Sequence, residues 1–310
     1  MAILQFGYVI QKRREKLGLS QEELSDGICS VTTLSRLENG TRMPTKNHFE
    51  MILQRLGYSD MFLDNYVSKK EFTLHELKFD IRQAYINNEF DKGKKLLTDF
   101  KNLLDDPSPI DEQFVILYDV LMNIEMYTNQ EMMNMFEKAI KYTYPKYDMH
   151  IKFYVLSYEE ILILNNIAVC YAIDGKVKKA IDIFYSMKDF YDARVINIEE
   201  ALRTKLLVLG NLAEALELAG RYDECIEISD IVISVSKSTA RCRWLGKALR
   251  LKATALSKKN KGQYVDTIVK CVKEAFYMAS IFNNDEEMKL INDFMCNNYK
   301  ELSLSLVDLL

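Results

Sequence analysis

The sequence predicts an all-α chain, a helix-turn-helix head followed by a solenoid of paired helices, on three observations. Only four prolines and eleven glycines punctuate 310 residues, which leaves room for long helices. Residues 19–44, LSQEELSDGICSVTTLSRLENGTRMP, hold two short helical segments with capping residues at their starts and a glycine near each end. From Phe72 onward, small and large apolar residues recur at helical spacing on either side of short turns, as in helices that interlock in pairs. About two domains are expected, at ~150 residues each. The division read from the sequence is 1–58 for the head, 59–71 for a linker and 72–310 for the body.

The first helix is expected from Gln5 to Leu17, with Ile10 and Leu17 inward and Lys12, Arg13, Arg14 and Lys16 largely outward. Those four bases suit either a DNA contact or a solvated face. Ser20 and Glu23 stand three apart and form a capping box that starts the next helix. Leu24 gives that helix its apolar face, and Gly27 allows the backbone to close it. Ser30 caps the helix that follows, where Leu34 and Leu37 face one way and leave Thr32, Ser35 and Arg36 roughly opposite. A short polar face with one arginine suits a major groove. Asn39-Gly40 ends the helix, and Arg42, Met43 and Pro44 begin a loop placed to run along a phosphate backbone.

S-Q-E-E-L, then L-S-R-L-E-N-G, then a proline and a fourth apolar helix with Phe49, Ile52, Leu53 and Leu56, resembles the lambda-repressor-like (XRE) family over residues 5–58. The resemblance implies that Val31, Thr32 and Arg36 meet base edges and that Gln21, Ser30, Asn39 and Arg42 meet phosphates, with Thr33 in the same DNA-facing set. It also implies that Arg14 pairs with Glu38 and ties the first helix to the recognition helix.

Charge and composition fit that reading. The net charge of −4 divides unevenly, with eight Lys and Arg against six Asp and Glu through residue 58, so a mildly basic module sits in an acidic protein. Six cysteines are scattered without CxxC spacing and are expected to be reduced and mostly buried. No secretory n- and h-region opens the sequence and no run of ~18 apolar residues occurs, so a cytoplasmic protein without membrane contact is expected.

Beyond a break at Tyr58-Ser59-Asp60, the linker carries Met61, Phe62 and Leu63 and is too apolar for a free tether. The clearest paired unit runs from Leu164 to Tyr185: Leu164, Ile167, Ala168 and Tyr171 form a stripe, Gly175 turns the chain, and Ala180 and Phe184 face back. Leu209, Leu212, Ala213 and Leu216, followed by Gly220 and Cys225, repeat it. This is the tetratricopeptide (TPR) pattern, with the turn glycines 45 residues apart instead of the ~34 of a standard repeat. Weaker copies fall at 81–97 with Asn88 at the turn, around 136–145, and at 248–279 with Gly262 at the turn. About five units are expected, forming a right-handed TPR-like α-solenoid closed by a terminal helix and the apolar tail 302–310.

The motifs of catalysis are missing. Three histidines lie far apart, and there is no Walker A, no G-x-G-x-x-G after a strand and no G-x-S-x-G. No enzyme activity, metal or cofactor is expected. Glu159-Glu160 and Glu199-Glu200 are adjacent carboxylates on helices, diverge by ~100° and are expected on solvated faces. A solenoid instead offers an extended concave surface for peptides or helices. Asn166 and Asn211 each stand nine residues before a turn glycine on the side away from the packed stripe, and Asn165 lies at its flank. An asparagine both donates and accepts, and so can clamp a peptide backbone. Lys247 and Arg250, on a later inner helix, suit a peptide carboxylate or a solvated face.

Head and body together resemble the RRNPP group of peptide-sensing regulators, most of all its PlcR branch. There N-I-C-x5-S-R-I-E-S-G is similar to residues 27–40 and N-x-I-A-x-x-Y-A-x-x-G to residues 165–175. The resemblance implies a homodimeric transcriptional regulator, a pseudo-palindromic DNA operator, and a short signalling peptide held by asparagines at Asn165 and Asn211. The alternative is an adaptor whose groove captures a protein such as a response regulator or an antirepressor.

Overall fold

The computed structural model describes residues 2–42, 45–57, 69–145, 147–148, 155–192, 199–260 and 262–299. Every regular element among them is helical. The head contains α1 (Ala2–Lys16), α2 (Gln21–Ser25), α3 (Val31–Glu38) and α4 (Lys46–Arg55). The body contains α5 (Lys69–Ile86), α6 (Phe90–Leu103), α7 (Pro109–Met122), α8 (Asn129–Lys141), α9 (Tyr158–Ile173), α10 (Val177–Asp192), α11 (Glu199–Leu218), α12 (Tyr222–Ser238), α13 (Leu245–Asn260), α14 (Val265–Ile281) and α15 (Asp285–Asn298). The expected linker lies largely outside the described residues, as does the apolar tail.

Local chemistry explains where the helices start and stop. Ser20 and Glu23, Ser108 and Asp111, Thr128 and Glu131, and Ser157 and Glu160 each form a reciprocal capping box. Asn88 turns the chain between α5 and α6 with φ of 59°, as its place in the repeat predicted, and Gly175 and Gly220 do so at 75° and 69°. The weak copy expected around 136–145 is the second helix of the α7–α8 pair, whose turn comes earlier, through a 3-10 segment at Ile124–Met126.

The chain folds as two compact units, residues 1–174 with 189–198, and 175–188 with 199–310. In the first, Leu24, Leu34, Leu37, Ile52 and Leu56 fill the centre of the head at no measurable exposure, and Ile110 of α7 and Val155 join the same apolar cluster. The head is therefore seated on the body rather than hung from it. Arg55 reinforces the seat: it donates to the Asp26 carbonyl, lies 4.5 Å from the Tyr144 ring and brings Nη2 to 3.8 Å from Glu160 Oε1. In the second unit α11, α12, α13 and α14 pack in succession around Val232, Ala253, Ile268, Val272 and Ala275.

Two expectations about charge are corrected. Glu159 and Glu160 are 4% and 2% exposed, not solvated. Arg82 reaches Glu159 at 2.7 Å, and Glu160 accepts from the Ser157 amide at 2.7 Å while facing Arg55. Adjacent carboxylates diverge on a helix, so each meets a different arginine. Arg14 is likewise turned inward, 9% exposed. The side chains of Glu199 and Glu200 lie outside the described ones. All six cysteines are free; Cys170, Cys225 and Cys271 are buried, while Cys296 is exposed. Burial raises the thiol pKa of Cys170 and Cys225 to about 11, so neither is a reactive thiolate at neutral pH.

Candidate nucleic-acid and peptide interfaces

The head holds its outer helix through one buried polar cluster. Arg14 Nε donates to Glu38 Oε1 at 2.6 Å and Nη2 to Oε2 at 2.9 Å, a two-point match between guanidinium and carboxylate. Arg14 Nη1 also donates to the Leu19 carbonyl at 2.7 Å, and Gln21 Nε2 donates to Glu38 Oε2 at 2.7 Å. Three elements (α1, the start of α2 and the end of α3) thus converge on one carboxylate, as the XRE resemblance implied for Arg14 and Glu38. Gly7 allows α1 to approach: a Cβ there would stand 2.2 Å from the Leu37 carbonyl oxygen and 2.6 Å from that of Glu38.

With Leu34, Leu37 and Glu38 buried, the opposite side of α3 is open. Val31 is 39% exposed, and Thr32, Arg36, Asn39 and Arg42 are exposed as well. Arg36 and Arg42 make no side-chain hydrogen bond or ion pair among the described residues, so two uncommitted cations flank an apolar and hydroxyl surface. Ser30 and Thr33 are engaged with each other: Ser30 Oγ accepts from the Thr33 amide at 3.2 Å and lies 2.9 Å from Thr33 Oγ1. Asn39 Nδ2 donates to Ser35 Oγ at 3.4 Å. On α1 only part of the basic set is available, since Lys12 pairs with Glu15 and Arg13 Nε caps α4 at the Leu56 carbonyl, 3.0 Å away.

In the first unit α9 buries Asn165, 4% exposed, whereas Asn166 sits on the half-open side and donates Nδ2 to the Leu162 carbonyl at 2.7 Å. In the second unit Asn211 of α11 is also half-open, but its Oδ1 accepts from Lys247 Nζ at 3.1 Å. Lys247 donates as well to Glu214 Oε2 at 2.7 Å and lies 5.6 Å from the Trp244 ring. Arg250 Nε donates to Glu287 Oε1 at 2.5 Å. Both cations proposed for a peptide carboxylate therefore already hold carboxylates of the chain. Glu214, Glu217, Trp244 and Glu287 were not singled out from sequence, although Glu214 and Glu217 continue the face of Asn211 at three-residue steps, as Arg250 continues that of Lys247.

Fold and α3 face together define an all-helical protein that presents a helix-turn-helix on a body of helix pairs. Among the described residues no helix is long and apolar enough to cross a membrane, and no three His, Cys, Asp or Glu are grouped to hold a metal. The Helix-turn-helix family model matches residues 10–63. No curated protein matches the sequence significantly. The fold is that of PlcR from Bacillus thuringiensis, solved in complex with the peptide PapR7 and DNA: 21% identity, 93% of this chain and 99% of that one covered, TM-score 0.57. Apo PlcR gives 18% identity over 94% of this chain and 98% of the other at TM-score 0.56. The apo competence regulator ComR from Streptococcus vestibularis gives 19% over 96% and 99% at 0.54.

Proposed function

We propose that this chain is a DNA-binding transcriptional regulator controlled by a short signalling peptide held in its helix-pair body, as in quorum sensing. The observation that carries the reading is the open face of α3, with two uncommitted arginines on a helix fixed by the buried Arg14–Glu38 pair. Val31, Thr32 and Arg36 take base edges; Gln21, Ser30, Thr33, Asn39 and Arg42 position the backbone. Residues 1–58 act as the DNA-binding part, 59–71 as the linker and 72–310 as the part that binds peptide and dimerises. Asn165 and Asn166 in the first unit and Asn211 in the second are each candidate peptide contacts, Asn166 and Asn211 at half-open positions.

Similarity of fold to a protein solved with both a peptide and DNA supports the reading. A homodimer in the cytoplasm would set its two heads on half-sites ~34 Å apart, or a multiple of that, on a pseudo-palindromic operator. The peptide acts by binding one head arrangement better than another. The test is selection from random duplex DNA with the whole chain and with Arg36→Ala. The wild type enriches a two-fold-symmetric site, and Arg36→Ala loses about 1–3 kcal/mol of discrimination at one base pair per half-site. Enrichment of no site, or an unchanged site logo in the variant, overturns it.

A further inference from the structure

The second unit places α11 beside α13, and their partly open faces carry a grid of charge. Lys247 is committed to Glu214 at 2.7 Å and Arg250 to Glu287 at 2.5 Å. One carboxylate is left over. Glu217 follows Glu214 by one turn of α11, is half-buried, and its carboxylate makes no hydrogen bond or ion pair among the described residues. Burial raises its pKa above the ordinary glutamate value, and neighbouring Glu214 pushes the same way, against Arg250 and Lys258. Lys258 is exposed and solvated, and neither cation is within ion-pair distance of the carboxylate.

A partly desolvated carboxylate that receives no donor from the chain gains from a ligand that supplies one. The two cations that a peptide carboxylate would seek are already neutralised. We infer that this face selects a peptide carrying a cationic nitrogen, a terminal ammonium or a Lys or Arg side chain, which Glu217 receives. The inference rests on the peptide-binding reading above and reverses the polarity that Lys247 and Arg250 suggest when read from sequence.

The test uses the full chain and random synthetic heptapeptides in two pools, one with free and one with acetylated amino termini. Retained peptides are sequenced, and binding is followed by the fluorescence of Trp244, the chain's single tryptophan, which lies beside Lys247. Cationic peptides should be enriched about tenfold or more by the wild type, lose that advantage on Glu217→Gln, and give way to acidic ones on Glu217→Lys. Enrichment confined to the free-terminus pool assigns the ammonium, and enrichment in both assigns a side chain. Peptides retained equally from both pools with no preference for Lys or Arg, or with a preference for Lys, Arg or the free terminus that survives Glu217→Gln, overturn the inference and leave the peptide reading standing. If no peptide is retained, both fall.

Discussion

Replacing Glu38 with leucine removes the acceptor of three hydrogen bonds at once, two from Arg14 and one from Gln21. The carboxylate side chain is 1% exposed and the arginine 11%, so the guanidinium loses its counter-charge where little water can replace it. Breaking a buried pair from one side costs about 3–5 kcal/mol. Gln21 is only partly buried and turns to solvent, adding little. Arg14→Met strands the carboxylate instead and should cost a similar amount. The double variant leaves no unpaired charge, only an unsatisfied Leu19 carbonyl, and should cost about 1–2 kcal/mol, less than either single change. Hydrogen exchange read by mass spectrometry across residues 10–40 of the whole chain measures all three. If Glu38→Leu costs under about 1 kcal/mol, or if the two single costs simply add, the pair does not hold α3 as argued.

Gly7→Ala forces α1 off the end of α3, because two carbonyl oxygens stand within 2.6 Å of the new Cβ. A loss of about 2 kcal/mol in head stability is expected by hydrogen exchange, and protection equal to wild type would show that the helices do not cross so closely. Asp111 receives Lys78 at 2.6 Å and Ser108 Oγ at 2.7 Å. Burial raises its pKa, but Lys78 and Ser108 outweigh burial and hold it below the ordinary value. Because the folded pKa is lowered, its stabilisation is present above the unfolded value of ~3.9 and is lost as pH falls through the folded one. Urea midpoints should therefore fall between pH 5 and pH 3 in the wild type and vary less in Asp111→Asn, which is also weaker at pH 7; equal pH slopes would contradict this. Arg42→Ala should weaken binding to all DNA sequences alike and reduce the salt slope by about one, and a changed site preference would move Arg42 from phosphate to base.

The head was readable from residues because its logic is local. Ser20 with Glu23 and Ser30 with Thr33 cap within three positions, and Leu34 and Leu37 declare the buried face within one turn. The helix pairs were readable for the same reason, through turn residues such as Asn88 and Gly220. Charge partners were not, apart from Arg14 and Glu38, which only the family resemblance implied. Glu159 and Arg82 are 77 residues apart, and Arg250 and Glu287 are 37 apart; no periodicity reports which distant charge will arrive beside a given one. That is why Glu159 and Glu160 looked solvated and why Lys247 looked available. Asn165 and Asn166 differ by about 100° of helix rotation, and only packing shows which of them is buried.

Peptide control requires that a peptide bound in the body change how α3 meets DNA. Titrating the whole chain onto its selected operator at fixed salt, with and without a saturating peptide recovered from the random pools, measures this. Operator affinity should change by at least fivefold, in one direction, and the change should disappear in Asn211→Ala. Equal affinity in the two titrations, with the peptide shown to be bound, would contradict it.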